Sequence, residues 1–246
     1  MTPHNHYKTM VLSDIHIGSA NCKTKELNEF LRHNSAEMLI LNGDIIDGWK
    51  IRKGEKWKKK YTRFFRMVLR MMDKYNTEVV YVRGNHDSFL DTIIPFVYGD
   101  IWIVKEHIHY SKGRKYMVVH GDSFDPVANN LRWLLKLGLA GFPFTLWIYK
   151  LYNRLPGLGK KNNRTLSQAI TKAPDKSDAY LLQYENDMVK LAQQKNCQGV
   201  ICGHVHLPSI KQYNDTIYMN SGDWVSSMSA LVEDFDGDWK IVYYTE

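Results

Sequence analysis

Residues 8–16 read KTMVLSDIH, an apolar run that closes on two metal-ligand types, Asp14 and His16. The same pattern recurs downstream. Met38–Leu41 is followed by Asn42-Gly43-Asp44 and then Asp47, and Val79–Val82 by Arg83-Gly84-Asn85-His86-Asp87. Short apolar runs bounded by Gly, Asn and Asp read as buried strands, so strands are expected over Lys8–Leu12, Met38–Leu41 and Val79–Val82. Two helical patterns separate them. Thr24–Arg32 carries Leu27, Phe30 and Leu31 at helical spacing, and Trp57–Lys74 carries Phe64, Phe65, Val68, Leu69 and Met72. Strand, helix, strand, helix, strand is the order of an α/β core with parallel pairing. Such sheets collect ligands at the carboxyl ends of their strands.

Further along, the pattern changes. Ile101–His120 reads as short strands joined by tight turns such as Ser111-Lys112-Gly113, and Met117–Val119 ends on His120-Gly121-Asp122. Val200–Cys202 ends on Gly203-His204, and Ile210–Tyr244 alternates strands with turns. These segments predict a second, more antiparallel sheet. Between them, residues 123–196 read as a helical, partly apolar insertion in a single domain spanning residues 1–246. A helix is expected over Val127–Leu139, a nearly continuous apolar run over Leu137–Tyr149, a basic loop over Asn153–Lys176 and a helix over Lys176–Lys195. The apolar run is too short for the roughly twenty residues that span a bilayer.

Of the 246 residues, 44% are hydrophobic and 13% aromatic, enough for one sizeable core and contrary to disorder. The net charge of +7 favours anionic partners, whether phosphate-bearing substrates, acidic membranes or nucleic acid, and equally suits a merely solubilising surface. Three cysteines, Cys22, Cys197 and Cys202, lack CxxC spacing, so neither a disulfide framework nor a thiolate zinc site is expected. They fit a reducing compartment, with Cys197 and Cys202 packing around a buried strand. The first residues, MTPHNHYK, show no secretory-signal pattern.

Five segments therefore carry the chemistry: Asp14-Ile-His16, Gly43-Asp44-Ile-Ile-Asp47, Gly84-Asn85-His86-Asp87, His120-Gly121-Asp122 and Gly203-His204-Val-His206. Each alone is a turn signal. Five in this order, each after a strand-like run, point to metal ligation by carboxylate, amide and imidazole. In D-x-H and H-x-H, alternate residues of an extended segment point the same way, so two ligands can reach one metal. Glycines let the backbone approach the site. Two metals roughly 3.5–4 Å apart activate water and stabilise both the attacking and the leaving oxygen.

The series DIH, GDIID, GNHD, HGD and GHVH, over residues 14–206, resembles the calcineurin-like metallophosphoesterases. The resemblance implies a four-layer α/β/β/α sandwich of two mixed sheets and two divalent ions, Mn²⁺ first, with Fe, Zn or Mg as alternatives. It implies one metal on Asp14, His16, Asp44 and His206, and another on Asp44, Asn85, His120 and His204. Asp44 bridges, with Asp47 supporting it from behind. His86 stabilises the phosphoryl group or protonates the leaving oxygen, and Asp87 orients His86. Asn85, His86 and His204 are the expected substrate contacts.

The strings LSDIHIGS, NGDIIDGW, HGDSFD, GHVHLP and NSGDWV more narrowly resemble the UDP-2,3-diacylglucosamine diphosphatase family, which releases UMP from a lipid-linked UDP-sugar. That likeness implies a cytoplasmic, peripheral inner-membrane protein that meets an anionic membrane surface. A diacylated substrate needs an apolar groove, and the insertion's Trp133, Leu134, Phe144 and Trp147 read as a lid for it or as a helical hairpin packed on the core. Nucleic acid is not an expected partner. The better-studied branch has arginine where His86 stands, so that contact does not transfer. Asn220, Gly222, Asp223 and Trp224 are expected near the site, with core packing an equal reading for Trp224. Trp49-Lys50-Ile-Arg52-Lys53 reads as a phosphate or uracil contact or as a solvated basic face.

Overall fold

The computed structural model describes residues 4–124 and 178–245. The expected helix over Val127–Leu139, the apolar run and the basic loop lie outside the described residues. By its contacts the chain divides into one unit made of Met1–Asp122 with Asn186–Glu246 and another of Ser123–Glu185. All the described strands belong to the first unit.

Strand β1 (Asn5–Leu12) lies parallel to β2 (Asn34–Asn42), and β2 parallel to β3 (Glu78–Val82). With β4 (Phe96–Tyr98), β5 (Ile101–Val104), β11 (Ser229–Glu233) and β12 (Trp239–Tyr243) they form a seven-stranded sheet in the order β12-β11-β1-β2-β3-β5-β4. The second sheet has five strands, β6-β7-β8-β10-β9. These are β6 (His107–Ser111), β7 (Arg114–Val118), β8 (Gly199–Cys202), β9 (Ser209–Tyr213) and β10 (Thr216–Asn220). Both sheets mix parallel and antiparallel pairs. All three leading strands begin earlier than their apolar runs, because pairing recruits polar residues such as Asn5 and Asn34, which face each other in register.

Alternation of side chains assigns the layers. One face of the first sheet presents Met10, Leu12, Leu39, Leu41, Val79 and Tyr81 to two helices. Helix α1 (Thr24–His33) buries Leu27, Phe30 and Leu31, and α3 (Lys59–Tyr75) buries Tyr61, Phe64, Val68 and Met71, a single stripe. Phe64 is fully buried, so Phe64→Ala would cost about 3–5 kcal/mol. Asn76 ends α3 in a left-handed conformation, a common helix stop. The other face presents Val11, Ile40, Val80 and Val82 to Val118, Ile201 and Met219 of the second sheet. On that sheet's outer side Met117, Val200 and Tyr218 are buried, as are Met188 and Ala192 of α4 (Asp178–Gln194). The Gln193 amide donates to Thr216 at 3.3 Å. A short helix that the sequence pattern did not reveal, α2 (Gly48–Arg52), follows Asp47. The three cysteines are free and buried, and for Cys197 and Cys202 this matches the expected packing role.

Candidate metal centre

The expected ligands sit just beyond strand ends: Asp14 and His16 after β1, Asp44 after β2, Asn85 after β3, His120 after β7, His204 and His206 after β8. At five of them the backbone is not extended. Asp14, His16, Asp44, His204 and His206 all have φ between 51° and 66°. The expectation that D-x-H and H-x-H work through strand alternation is therefore corrected: left-handed turns aim the side chains. That conformation costs an L-residue about 1–2 kcal/mol, so the surrounding structure must hold it. The Asp14 amide donates to Gly43 O and the His16 amide to Asp44 O, while Asp14 O accepts from the Trp224 amide. Glycine is required where backbone meets ligand. A Cβ on Gly84 would overlap Asp44, and one on Gly43 would overlap the His120 ring.

Asp44 faces two ways. Its Oδ2 is 3.8 Å from His16 Nε2, and its Oδ1 is 3.5 Å from His120 Nε2. Asp14 Oδ1 lies 3.1 Å from His206 Nε2 and 3.8 Å from His16 Nε2. The second oxygen of Asp14 accepts the His204 amide at 2.9 Å, and Asp44 Oδ1 accepts the His86 amide at 2.8 Å. The His120 and His204 rings meet edge to face at 5.3 Å. Two potential ligand atoms, Asn85 Oδ1 and His120 Nε2, are buried without a partner in hydrogen-bonding geometry, and Asp14 Oδ1 has only the His206 and His16 rings beside it. Leaving such groups unsatisfied is costly. Hard carboxylate and amide oxygens beside imidazoles suit divalent first-row cations. The donors present thus fit metal ions. Ligand atoms of Asp14, His16 and His206 cluster within 4.8 Å of one another, and so do those of Asp14, Asp44 and His120.

The charges agree. Burial opposes ionisation of Asp14 and Asp44, but the neighbouring His120 holds both carboxyls below their usual range. Burial likewise opposes a charged His120, yet Asp44 and Asp14 push it up to about 10. His206 is held up at about 9, against burial, by Asp14 and Asp223. A cluster that so favours positive charge is built to receive it. Outer contacts aim the ligands: His120 Nδ1 lies 3.0 Å from Asn42 O, leaving Nε2 for a cation, and His206 Nδ1 lies 3.1 Å from Asp223 Oδ2.

The expected part of Asp87 is corrected. Its oxygens accept the amides of Ile45, Ile46 and Gly84 and the Tyr81 hydroxyl, so it staples β3 to the Asp44 loop and does not orient His86. Burial, and then Asp44, push Asp87 up to about 6. The group beside His86 is Asp47, whose Oδ1 lies 3.2 Å from His86 Nδ1 and also caps α2 at the Lys50 amide. Trp49 covers the His86 ring at 4.3 Å and is 49% exposed. Trp224 is fully buried against Phe30, a core residue whose backbone supports Asp14. The Asp223–His206 contact was not legible in the sequence; the closeness of NSGDWV to the site was.

Two sheets with such a strand-end cluster define a metal-dependent phosphoester hydrolase. The calcineurin-like phosphoesterase family profile matches residues 7–208, and the chain belongs to that family. It is 23% identical over 239 residues to a UDP-2,3-diacylglucosamine hydrolase of Shewanella sp. (strain ANA-3), covering 94% of this chain and 95% of that one. A protein of the same name from Wigglesworthia glossinidia brevipalpis is 22% identical over 238 residues, covering 91% and 89%. Among solved structures, the E. coli phosphoesterase YfcE is similar with a TM-score of 0.43 at 18% identity, covering 96% of this chain and 99% of that one.

Proposed function

We propose that this metallophosphoesterase hydrolyses the pyrophosphate of UDP-2,3-diacylglucosamine to UMP and 2,3-diacylglucosamine 1-phosphate. The observation that carries the metal-dependent chemistry is the buried cluster of Asp14, Asp44 and His120 ligand atoms within 4.8 Å of one another, with His120 Nε2 lacking a hydrogen-bond partner. The substrate reading is supported by the name shared by relatives aligned over most of the chain. Asp14, His16, Asp44 and His206 hold one cation; Asp44, Asn85, His120 and His204 hold the other. Mn²⁺ is the proposed metal, ahead of Fe, Zn and Mg. Bound divalent ions supply positive charge against the phosphoryl oxygens and make water a better nucleophile. Asp44 presents one oxygen to each side. His86, steadied by Asp47 and Trp49, turns Nε2 toward the site and gives its proton to the leaving oxygen. Asn85, His86 and His204 contact the phosphoryl group.

A lipid-linked substrate goes with a peripheral position on the cytoplasmic face of the inner membrane. No helix of the described residues is long and apolar enough to cross a membrane. The proposed lid residues lie outside the described residues. The test is Mn²⁺-dependent release of UMP from the diacylated substrate, set against UDP-glucose and an aryl phosphodiester. Strong preference for the diacylated substrate is expected. Equal turnover of all three would remove the lipid assignment while leaving the phosphoesterase standing.

A further inference from the structure

The positive charge of the chain is concentrated. Residues 50–74 hold eleven Lys and Arg against two acids, Glu55 and Asp73. Residues 125–177 hold nine against two, and the remainder is net −9. In the first stretch, α3 puts the charge in order. Lys59, Arg63, Arg66, Arg70 and Lys74 are all exposed, and spacings of three and four residues set them along one line of the helix. The buried stripe of Tyr61, Phe64, Val68 and Met71 lies on the other side. At 1.5 Å per residue the row is about 22 Å long. Arginine ion pairs among the described residues belong to Arg32 and Arg83, so the three arginines of the row keep their charge for a partner.

Two apolar side chains accompany the row. Leu69 is 58% exposed beside Arg66 and Arg70. Trp57 is 48% exposed at the start of the helix, with its ring on Phe65 and its Nε1 donating to Thr62 at 2.9 Å. At a membrane, Leu and Trp enter the interface while Lys and Arg meet the phosphates. Toward α1, Lys25, Lys59, Lys60 and Arg63, beside the Arg32–Glu29 ion pair, line a hollow of about 380 Å³ whose net positive charge suits an anionic headgroup.

We propose that the outward face of α3 docks the protein on an anionic lipid bilayer. A straight row fits a plane, and the exposed Leu69 has no use on a nucleic-acid backbone. This builds on the membrane-borne substrate proposed above and names where the chain meets the membrane. The test uses the full chain, without substrate, and co-sedimentation with vesicles of phosphatidylcholine alone or mixed with phosphatidylglycerol. Binding is expected only to the mixed vesicles and should weaken as salt rises. A surface cation contributes about fivefold in partitioning, so the triple variant Arg63→Gln/Arg66→Gln/Arg70→Gln should bind about 100-fold more weakly. Glutamine keeps helix propensity, and circular dichroism checks the fold. The triple variant Lys112→Gln/Lys211→Gln/Lys240→Gln, exposed cations elsewhere, should stay within about twofold of the parent. Leu69→Ser should weaken binding modestly and at every salt concentration. Equal loss in both triple variants, or binding to single-stranded oligonucleotide with none to anionic vesicles, would overturn the proposal. Because no substrate is present, failure here leaves the UMP-release assay to judge the substrate separately.

Discussion

Two buried carboxylate–imidazole clusters neighbour β1, one meeting it at Lys8 and Thr9 and one just past its end at Asp14, and only the first is closed. Around Glu233, each oxygen has partners. Oε1 takes Lys8 at 3.3 Å and the Ser111 hydroxyl; Oε2 takes Thr9 at 2.7 Å and His109 at 3.0 Å. This cluster ties β1 and β11 to β6 across the sandwich. Five residues further along, roughly 16 Å by strand rise, the Asp14 cluster leaves oxygen and nitrogen atoms without hydrogen-bonding partners. Similar residue types thus serve two ends. A satisfied network holds the sheets together, whereas an unsatisfied one is prepared for something the chain does not itself supply.

The comparison breaks or sharpens by mutation. Asp44→Ala should lower phosphodiester kcat/KM by on the order of a thousandfold, several kcal/mol of transition-state stabilisation, and should abolish the gain in urea stability that added Mn²⁺ gives the parent. Retention of turnover within a factor of ten would show that the open cluster is not the site. Chelation of divalent ions should likewise remove turnover and lower Tm, with Mn²⁺ restoring both. Asp223→Asn should weaken metal affinity or activity by about 10–100-fold, since it removes the partner that aims His206; a metal titration reads this directly.

The closed cluster should behave in the opposite sense. Glu233→Ala should cost about 3 kcal/mol of stability by urea denaturation, with kcat/KM within about twofold of the parent. A large loss of kcat/KM in a folded Glu233→Ala protein would mean the two clusters are coupled. The smallest effect is in acid. Although burial opposes the charge, His109, Ser111 and Thr9 hold the Glu233 carboxyl down to about 2, from an ordinary 4.5. A depressed carboxyl contributes stability that is complete above its unfolded value and is lost as pH falls through its folded value. The stability difference between parent and Glu233→Gln should therefore shrink from pH 4.5 toward 2. A difference that stays constant over that range would contradict the ionic account.

Much of this was legible in the chain itself. Apolar runs ending in Asp, Asn and His located the strands, because burial on both faces needs continuous apolar residues and the strand end is where polar groups resume. The order of the five motifs pointed to the family and to seven candidate ligands. The helical stripes of α1 and α3 were legible for the same reason of burial. Helix α2 was not: it is five residues long, too short for periodicity to register, and it rests on the Asp47 cap.

Tertiary structure alone decided which neighbour each group serves. Asp87 is adjacent to His86 in sequence, yet the fold turns it toward Ile45, Ile46 and Tyr81, while Asp47 reaches His86 from another strand end. Asp223 meets His206 because β8 and β10 run side by side. The left-handed backbone at five of the ligands carries no mark in residue type, since none is glycine. The sequence determined which candidate ligands exist and at which strand ends they stand, through hydrophobic burial acting locally. Their aim and their partners come from contacts between strands distant in sequence, which residue spacing does not encode.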